Sequence, residues 1–314
     1  MELALDRLGP ASVAVKAAVT KLLRHQKLRH PLSVLPMLVH AVETGTPRPA
    51  TPISAVHVLW WTSACFLDDL ADGHGSSLSA GLTENEALLA SVISGTILPI
   101  RIIQSLPAPA PVHSALTAEI ATGWTVGTEG QLRDIGGEAD SATRKSVIEA
   151  YRGKSGGPFS MITAMAAILS GALPEDIAKW REFGYVFGIL WQMFNDQEDI
   201  LSGRGEDLLN GTVTYLLTCA LDDAPPGSRA HILNLHTAAR DCARSRSELT
   251  GLLLDPAVLD QFREDLDGFR DEASRILDEL GGDPVYAGIL RRLVDHSARM
   301  LLEPVPAPAV AVSA

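Results

Sequence analysis

The sequence predicts an all-α protein, and three observations carry that prediction. Apolar residues recur at i, i+3 and i+4 through almost the whole chain. Alternating apolar–polar runs, the mark of half-buried strands, are scarce. Glycines and prolines fall between the periodic blocks, which leaves only short linkers. Hydrophobic residues fill 46% of the 314 positions and charged residues 20%, enough for a substantial core.

Taken in order, the first periodic block covers 11–24 and the second 32–43, opening behind Pro31. The third, 53–72, starts after Pro52 and stops at the glycines from Gly73 to Gly75. Block 84–105 ends at the Pro107–Pro111 run, beyond which 112–135 continues to Gly136 and Gly137. Blocks 142–154 and 158–171 meet around Gly153, Gly156 and Gly157. Pro174 opens 175–202, and 207–220 comes next. Pro225 and Pro226 precede 229–252, then 256–279 runs to Gly281 and Gly282, and 284–302 closes the series. No repeat or shift of composition divides the chain. Residues 1–303 therefore read as one helical domain and 304–314 (EPVPAPAVAVSA, from its Pro304) as a disordered Pro/Ala-rich tail.

The formal net charge of −12 argues against nucleic-acid binding, which needs a basic footprint. An acidic protein that takes a phosphorylated substrate needs cations between the two. Cys65, Cys219 and Cys242 show no paired spacing, so neither a disulfide framework nor a zinc site is expected, and a reducing compartment fits. The N-terminus lacks a basic region followed by an apolar one, and no stretch of about 18 residues is clean enough for a membrane span. A cytoplasmic location is the expectation.

Two blocks carry chemistry. The apolar helix AVHVLWWTSACFLDDLADGH ends in Asp68, Asp69 and Asp72. Asp68 and Asp72 lie one turn apart on one face, where they repel each other and oppose the helix dipole. A divalent cation relieves both costs, and magnesium favours a few carboxylates plus substrate phosphate oxygens. By itself such a cluster reads equally well as a solvated helix end. The second block, EFGYVFGILWQMFNDQEDI, runs into Asn195, Asp196, Glu198 and Asp199, with Asn195 and Asp199 on one face. Two acid-ended apolar helices over a hundred residues apart, packed in a bundle, place oxygen ligands on both sides of one cavity. Between them, Lys154 in EAYRGKSGGPF can neutralise a phosphate, although alone it reads as a surface lysine. The segment is no P-loop, since Ile148 stands where the first glycine belongs. GHGSSL at Gly73 fails the dinucleotide fingerprint at its third glycine. His231 and His236 have the wrong spacing for a metal pair, and Ser155 and Ser160 lack His/Asp partners in sequence.

Together these motifs resemble the trans-isoprenyl diphosphate synthase family, over roughly Leu22 to Thr214. FLDDLAD resembles its first aspartate-rich motif. EGQLRDI, with Gly130, Gln131 and Asp134, resembles its glycine–glutamine helix, and YRGKS, with Tyr151 and Lys154, its Tyr-x-x-Lys segment. WQMFNDQEDI resembles the second aspartate-rich motif, with Gln192 in place and Asn195 for the first aspartate; GEDLLNGTVTYL resembles the family's next segment. The resemblance implies an isoprenoid-synthase-type helical bundle around a central cavity, commonly a homodimer. It also implies an allylic isoprenoid diphosphate as substrate and three Mg2+ ions, held by Asp68, Asp69, Asp72, Asn195, Asp196 and Asp199.

The departures fall where chain-elongating members hold isopentenyl diphosphate. HQKLRHP keeps Lys27 but has His30 for the arginine, with Arg29 one position early. Trp61 stands for a histidine, Ser77 and Leu78 for an arginine pair, and Thr212 for a lysine. Desolvating a second diphosphate without cations is unfavourable. The expectation is therefore a class I terpene cyclase: Asp68, Asp72, Asn195 and Asp199 ionise one diphosphate through magnesium, and Lys154 stabilises the leaving group. Trp61, Trp191 and Phe159 face the cation, and Gln192 lies by the substrate. Small Ser63 and Ala64 below Asp68 favour a C20 over a C15 chain. The alternatives are prenyl transfer, either elongation using Lys27 and Arg29 or transfer to an uncharged acceptor such as an indole, and a non-catalytic partner subunit.

Overall fold

The computed structural model describes residues 2–25, 32–71, 81–222 and 224–304, and among these no strand occurs. The helices are α1 (Glu2–Asp6), α2 (Val13–His25), α3 (Leu35–Thr44), α4 (Thr51–Ala71), α5 (Glu84–Val92), α6 (Leu98–Gln104), α7 (Ala110–Ile135) and α8 (Arg144–Tyr151). They continue as α9 (Gly157–Ser170), α10 (Pro174–Ser202), α11 (Glu206–Asn210), α12 (Tyr215–Asp222), α13 (Pro226–Ala239), α14 (Ala243–Leu253), α15 (Pro256–Leu280) and α16 (Pro284–Ser297). The all-α expectation holds.

Local chemistry explains the boundaries. Capping boxes open α5 (Thr83 with Glu86) and α8 (Thr143 with Ser146), satisfying N–H groups that the first turn leaves free. Asp255 and Asp283 cap α15 and α16. Left-handed Gly45, Gly171 and Gly203 end α3, α9 and α10. Three expected blocks change. Block 207–220 divides at Gly211, whose φ of 70° ends α11. Block 229–252 divides between Ala239 and Ala243, and the last helix stops at Ser297 rather than 302.

At the centre lies α9, buried on every side from Gly157 to Ala167, with α3, α7 and α10 packed around it. A helix apolar all round belongs inside, and this one forms the bundle axis. The expected break between Lys154 and Pro158 is instead a π-helical turn, Arg152–Gly156, that joins α8 to α9. A second π turn, Ile93–Ile97, joins α5 to α6. By length and composition Arg48–Ala71 and Glu84–Gln104 are each apolar enough to cross a membrane, but 56% and 50% of those windows are buried within the bundle. Helix α4 spends its apolar surface on the core and on the wall of a cavity.

The glycines around Lys154 serve helix packing. A Cβ on Gly153 would come 2.6 Å from Gly130 Cα on α7, and one on Gly188 of α10 would come 2.6 Å from Gly156 N. Neither fits without moving backbone. Four small residues thus let α7 and α10 clasp the π turn from two sides. Here the small residues admit neighbouring helices.

Candidate active site

A cavity of about 530 Å³ opens between α4, α7, the π turn and α10, within the usual range of roughly 300–1,000 Å³ for small-molecule sites. Its polar side is built from Asp68 on α4, Lys154 and Ser155 on the π turn, and Gln192 and Asn195 on α10. Trp60, Trp61, Trp124 and Trp191 furnish much of the apolar wall. Positions 57, 61, 64 and 68 follow one stripe of α4, and 124, 128, 131 and 135 follow one stripe of α7.

Lys154 Nζ lies 2.8 Å from Asp134 and 3.3 Å from Asp68 Oδ1, which joins a cation to the first acidic cluster. Asp68 Oδ1 is itself buried and accepts no hydrogen bond. Ser155 donates to Gln192 Oε1 at 2.6 Å, and Gln192 Nε2 donates to Asp196 Oδ1 at 2.9 Å. The Tyr151 hydroxyl donates to Asp196 Oδ2 and accepts from the Tyr215 N–H at 2.9 Å. Burial, aided by the charge of Asp134, pushes Asp196 up to about 7, against the lowering effect of Tyr151, Gln192 and Lys154. Burial likewise raises Asp207, with Asp196 and Asp199 adding to it. Burial raises the Cys65 thiol on the cavity wall, as do Asp68 and Asp69.

The expected site residues separate into groups. Asp68, Lys154, Gln192, Asn195, Trp61, Trp191 and Ala64 line one cavity. Asp196 and Asp199 share the acid-ended helix but turn away from it. Asp199 is 4% exposed, and its two oxygens accept the N–H groups of Glu206 and Asp207 at 3.1 and 3.2 Å, capping α11. The expected pairing of Asn195 and Asp199 on one metal-facing side is therefore corrected: the cap claims Asp199. Ser63 is corrected too, because its hydroxyl is buried against Leu59 O and Ser91 O, away from the cavity. Phe159 is fully buried behind Trp61, with ring centroids 5.1 Å apart, and stays off the wall. Asp69 is half-buried beside the cavity lining without belonging to it. Asp72, Lys27 and Arg29 lie outside the described residues.

Among the described residues no group of three or more His, Cys, Asp or Glu side chains could hold a metal by itself. The donor set still fits a magnesium that draws most ligands from substrate and water. Asp68 supplies a buried oxygen free of hydrogen bonds, and the Asn195 amide shares its cavity. Asp196 and Asp199 do not fit that role, since Tyr151, Gln192 and the α11 backbone occupy their oxygens. Sequence reasoning passed over His57, Trp124 and Thr128. Walking back from Asp68 by helical steps reaches His57, and stepping along α7 from Gln131 reaches the other two.

Comparison with known proteins adds three findings. A family model described as polyprenyl synthetase matches residues 83–251. A curated short chain isoprenyl diphosphate synthase of Methanothermobacter thermautotrophicus is 26% identical over 115 residues, 34% of this chain and 35% of that protein, so the match spans about a third of the relative's length. Similar solved structures include a geranylgeranyl pyrophosphate synthase (TM-score 0.81, 14% identity, 95% of each chain). Another is a polyprenyl synthetase of Streptomyces coelicolor A3(2) (0.77, 16%, 94% of each). A third, from Corynebacterium glutamicum, is a geranylgeranyl pyrophosphate synthase complexed with isoprenyl diphosphate and magnesium (0.73, 16%, 95% of this chain and 98% of that one). At these identities the structures speak for the fold.

Proposed function

The chain belongs to the polyprenyl synthetase family, and from that premise we propose that it is a prenyltransferase, ionising one allylic isoprenoid diphosphate and passing the cation to an uncharged acceptor. The observation that carries this reading is the cavity itself: Asp68, Lys154 and Asn195 line it together with four tryptophans. Bound magnesium, with Asp68 and Asn195 as its holders, supplies Lewis-acid neutralisation of the diphosphate. Lys154 places a positive charge where the departing diphosphate gathers negative charge, and Asp134 holds that ammonium in position at 2.8 Å. The tryptophan faces lower the energy of the allylic cation and keep out water that would convert it to an alcohol. Lys154 is the only Lys or Arg among the described lining residues, which favours an acceptor without a diphosphate of its own.

A second reading is cyclisation, in which the acceptor is a double bond of the same chain. It is favoured by the tryptophans, because four of the five in the chain line this one cavity. The preference for C20 over C15 now rests on Ala64 alone, since Ser63 faces elsewhere. A homodimer belongs to the same proposal, supported by Leu88, Leu89 and Val92, which expose an apolar strip on α5.

The test is incubation with magnesium and geranyl, farnesyl or geranylgeranyl diphosphate, with and without isopentenyl diphosphate or indole, followed by diphosphate release and mass spectrometry. A prenylated neutral acceptor supports the first reading, and a hydrocarbon formed without any partner supports the second. Longer diphosphates would mean elongation and overturn the uncharged acceptor. Absence of release from every substrate would sink the enzyme reading in favour of a partner subunit.

A further inference from the structure

The cavity is apolar and open to solvent beside its charged end. Leu132 and Ile135, in the last turns of α7, line it yet stay 60% and 55% exposed. Leu67 and the exposed Ala71 continue the lining on α4. Asp134, between Leu132 and Ile135 in the chain, holds Lys154 at 2.8 Å, and Lys154 reaches Asp68 at 3.3 Å. This shelf therefore adjoins the end suited to a diphosphate. Trp124 lies seven residues before Gln131 on α7, about 10 Å farther in at 1.5 Å per residue. Gln131, one turn before Ile135, lines the same space, and its Nε2 is buried without a hydrogen-bond partner.

We infer that the shelf is the acceptor's subsite and that the acceptor is an uncharged hydroxyarene, a planar aromatic ring bearing a phenolic oxygen. The inference rests on ionisation of an allylic diphosphate in this cavity and on transfer to a separate neutral molecule. Exposed apolar side chains grouped at a cavity mark where an apolar partner sits. With the donor's diphosphate at Asp68 and Lys154, its hydrocarbon runs inward towards Trp124 and leaves C1 beside the shelf. A buried amide N–H without an acceptor costs free energy. The phenolic oxygen supplies that acceptor once Gln131 turns about its last side-chain torsion, a broad one. Lys154, the only Lys or Arg among the described lining residues, is committed to the donor, so a charged group on the acceptor finds no cation. A phenol meets that condition, since it titrates only near pH ~10. The C1–oxygen bond breaks and its electron pair leaves with the diphosphate. A ring π pair, made electron-rich by the hydroxyl, bonds to C1. The attacked ring carbon passes its proton to the released diphosphate, and the C–H pair restores the aromatic ring.

The experiment gives farnesyl diphosphate and magnesium, with β-naphthol, β-naphthoate or indole, to wild type, Q131L and the double variant L132S/I135S. Diphosphate release and product mass are read together, with circular dichroism to establish folding. Wild type should prenylate β-naphthol on a ring carbon in preference to β-naphthoate. Q131L should raise KM for β-naphthol roughly three- to tenfold, the size of one hydrogen bond, and raise it less for indole, whose nitrogen donates rather than accepts. L132S/I135S should raise KM for both neutral acceptors about tenfold, and more than KM for farnesyl diphosphate. Equal use of β-naphthoate overturns the neutral hydroxyarene. An unchanged β-naphthol KM in folded Q131L overturns the role of Gln131, and unchanged acceptor KM values in the folded double variant overturn the shelf. Prenylation of indole but not of β-naphthol overturns the acceptor class while transfer to a neutral molecule stands. Release without any prenylated ring overturns both and leaves ionisation standing, and no release at all overturns all three.

Discussion

Replacing Asp196 with Asn should remove a pH dependence that the fold builds into itself. In the native protein Asp196 is 5% exposed and its carboxyl is pushed from 3.8 up to about 7. Its folded value therefore lies above its unfolded value, so between the two the native state holds the proton and the unfolded chain does not. Stability from this group is complete below the unfolded value and is lost as pH rises through the folded one. The whole loss is about 4 kcal/mol, and about 3 kcal/mol of it falls between pH 5 and pH 8. That is a large share of the roughly 5–15 kcal/mol that holds a domain together. Other groups are shifted too, Asp207 upward mainly by burial, which acts in the same direction, and His236 downward mainly by burial, which acts in the opposite one. The difference between wild type and D196N cancels the His236 contribution and leaves that of Asp196 together with the part of the Asp207 shift that the Asp196 charge causes. Urea unfolding of both proteins at pH 5, 6, 7 and 8 measures it: the wild-type advantage at pH 5 should shrink or reverse by pH 8. Parallel pH profiles would refute the reasoning.

Other perturbations separate roles that the sequence alone leaves merged. K154Q should fold yet release diphosphate on the order of a hundred- to a thousandfold more slowly, the usual loss for a preorganised charge; a coupled diphosphate assay reads it. D199A should cost about 1 kcal/mol through loss of the α11 cap and speed hydrogen exchange at Glu206 and Asp207. If diphosphate release collapses while exchange stays unchanged, Asp199 is a ligand and the cap assignment fails. G188A should cost about 1–3 kcal/mol in urea unfolding, because its Cβ meets Gly156 N and Ser155 O at 2.6 Å; an unchanged midpoint would mean that α10 yields there. L89E combined with V92E should convert a dimer into monomers by light scattering after size exclusion, whereas a wild-type monomer would end the homodimer proposal.

The bundle could be read from the chain because its causes are local. Periodicity located the helices, and Pro/Gly punctuation found most ends, as with Pro174 at the first position of α10 and Gly281 after α15. The misplaced breaks have non-local causes. The π turn at Arg152–Gly156 keeps α8 and α9 in one rod because two neighbouring helices grip its glycines, which no periodicity records. The site divides in the same way. Asp68, Lys154 and Asn195 were legible as candidates from residue type and spacing, and they do share a cavity. Asp196 and Asp199 sit within one turn of Asn195, yet Tyr151, Gln192 and the α11 backbone claim their oxygens, Tyr151 from 45 residues away along the chain. Helical spacing ranks neighbours on a cylinder; it does not say which of them find hydrogen-bond donors first. His57 escaped notice because a histidine among tryptophans looks like packing until the cavity beside it is seen.

The pinched π turn constrains how such a protein can diversify. With backbone against backbone on both sides, the turn acts as a pivot between two long levers, α7 and α10. Side chains farther along α7 and α10 line the cavity, while Lys154 sits on the clasped turn itself. The end of the cavity that holds Asp68, Lys154 and Asn195 and the end lined by tryptophans can therefore vary independently.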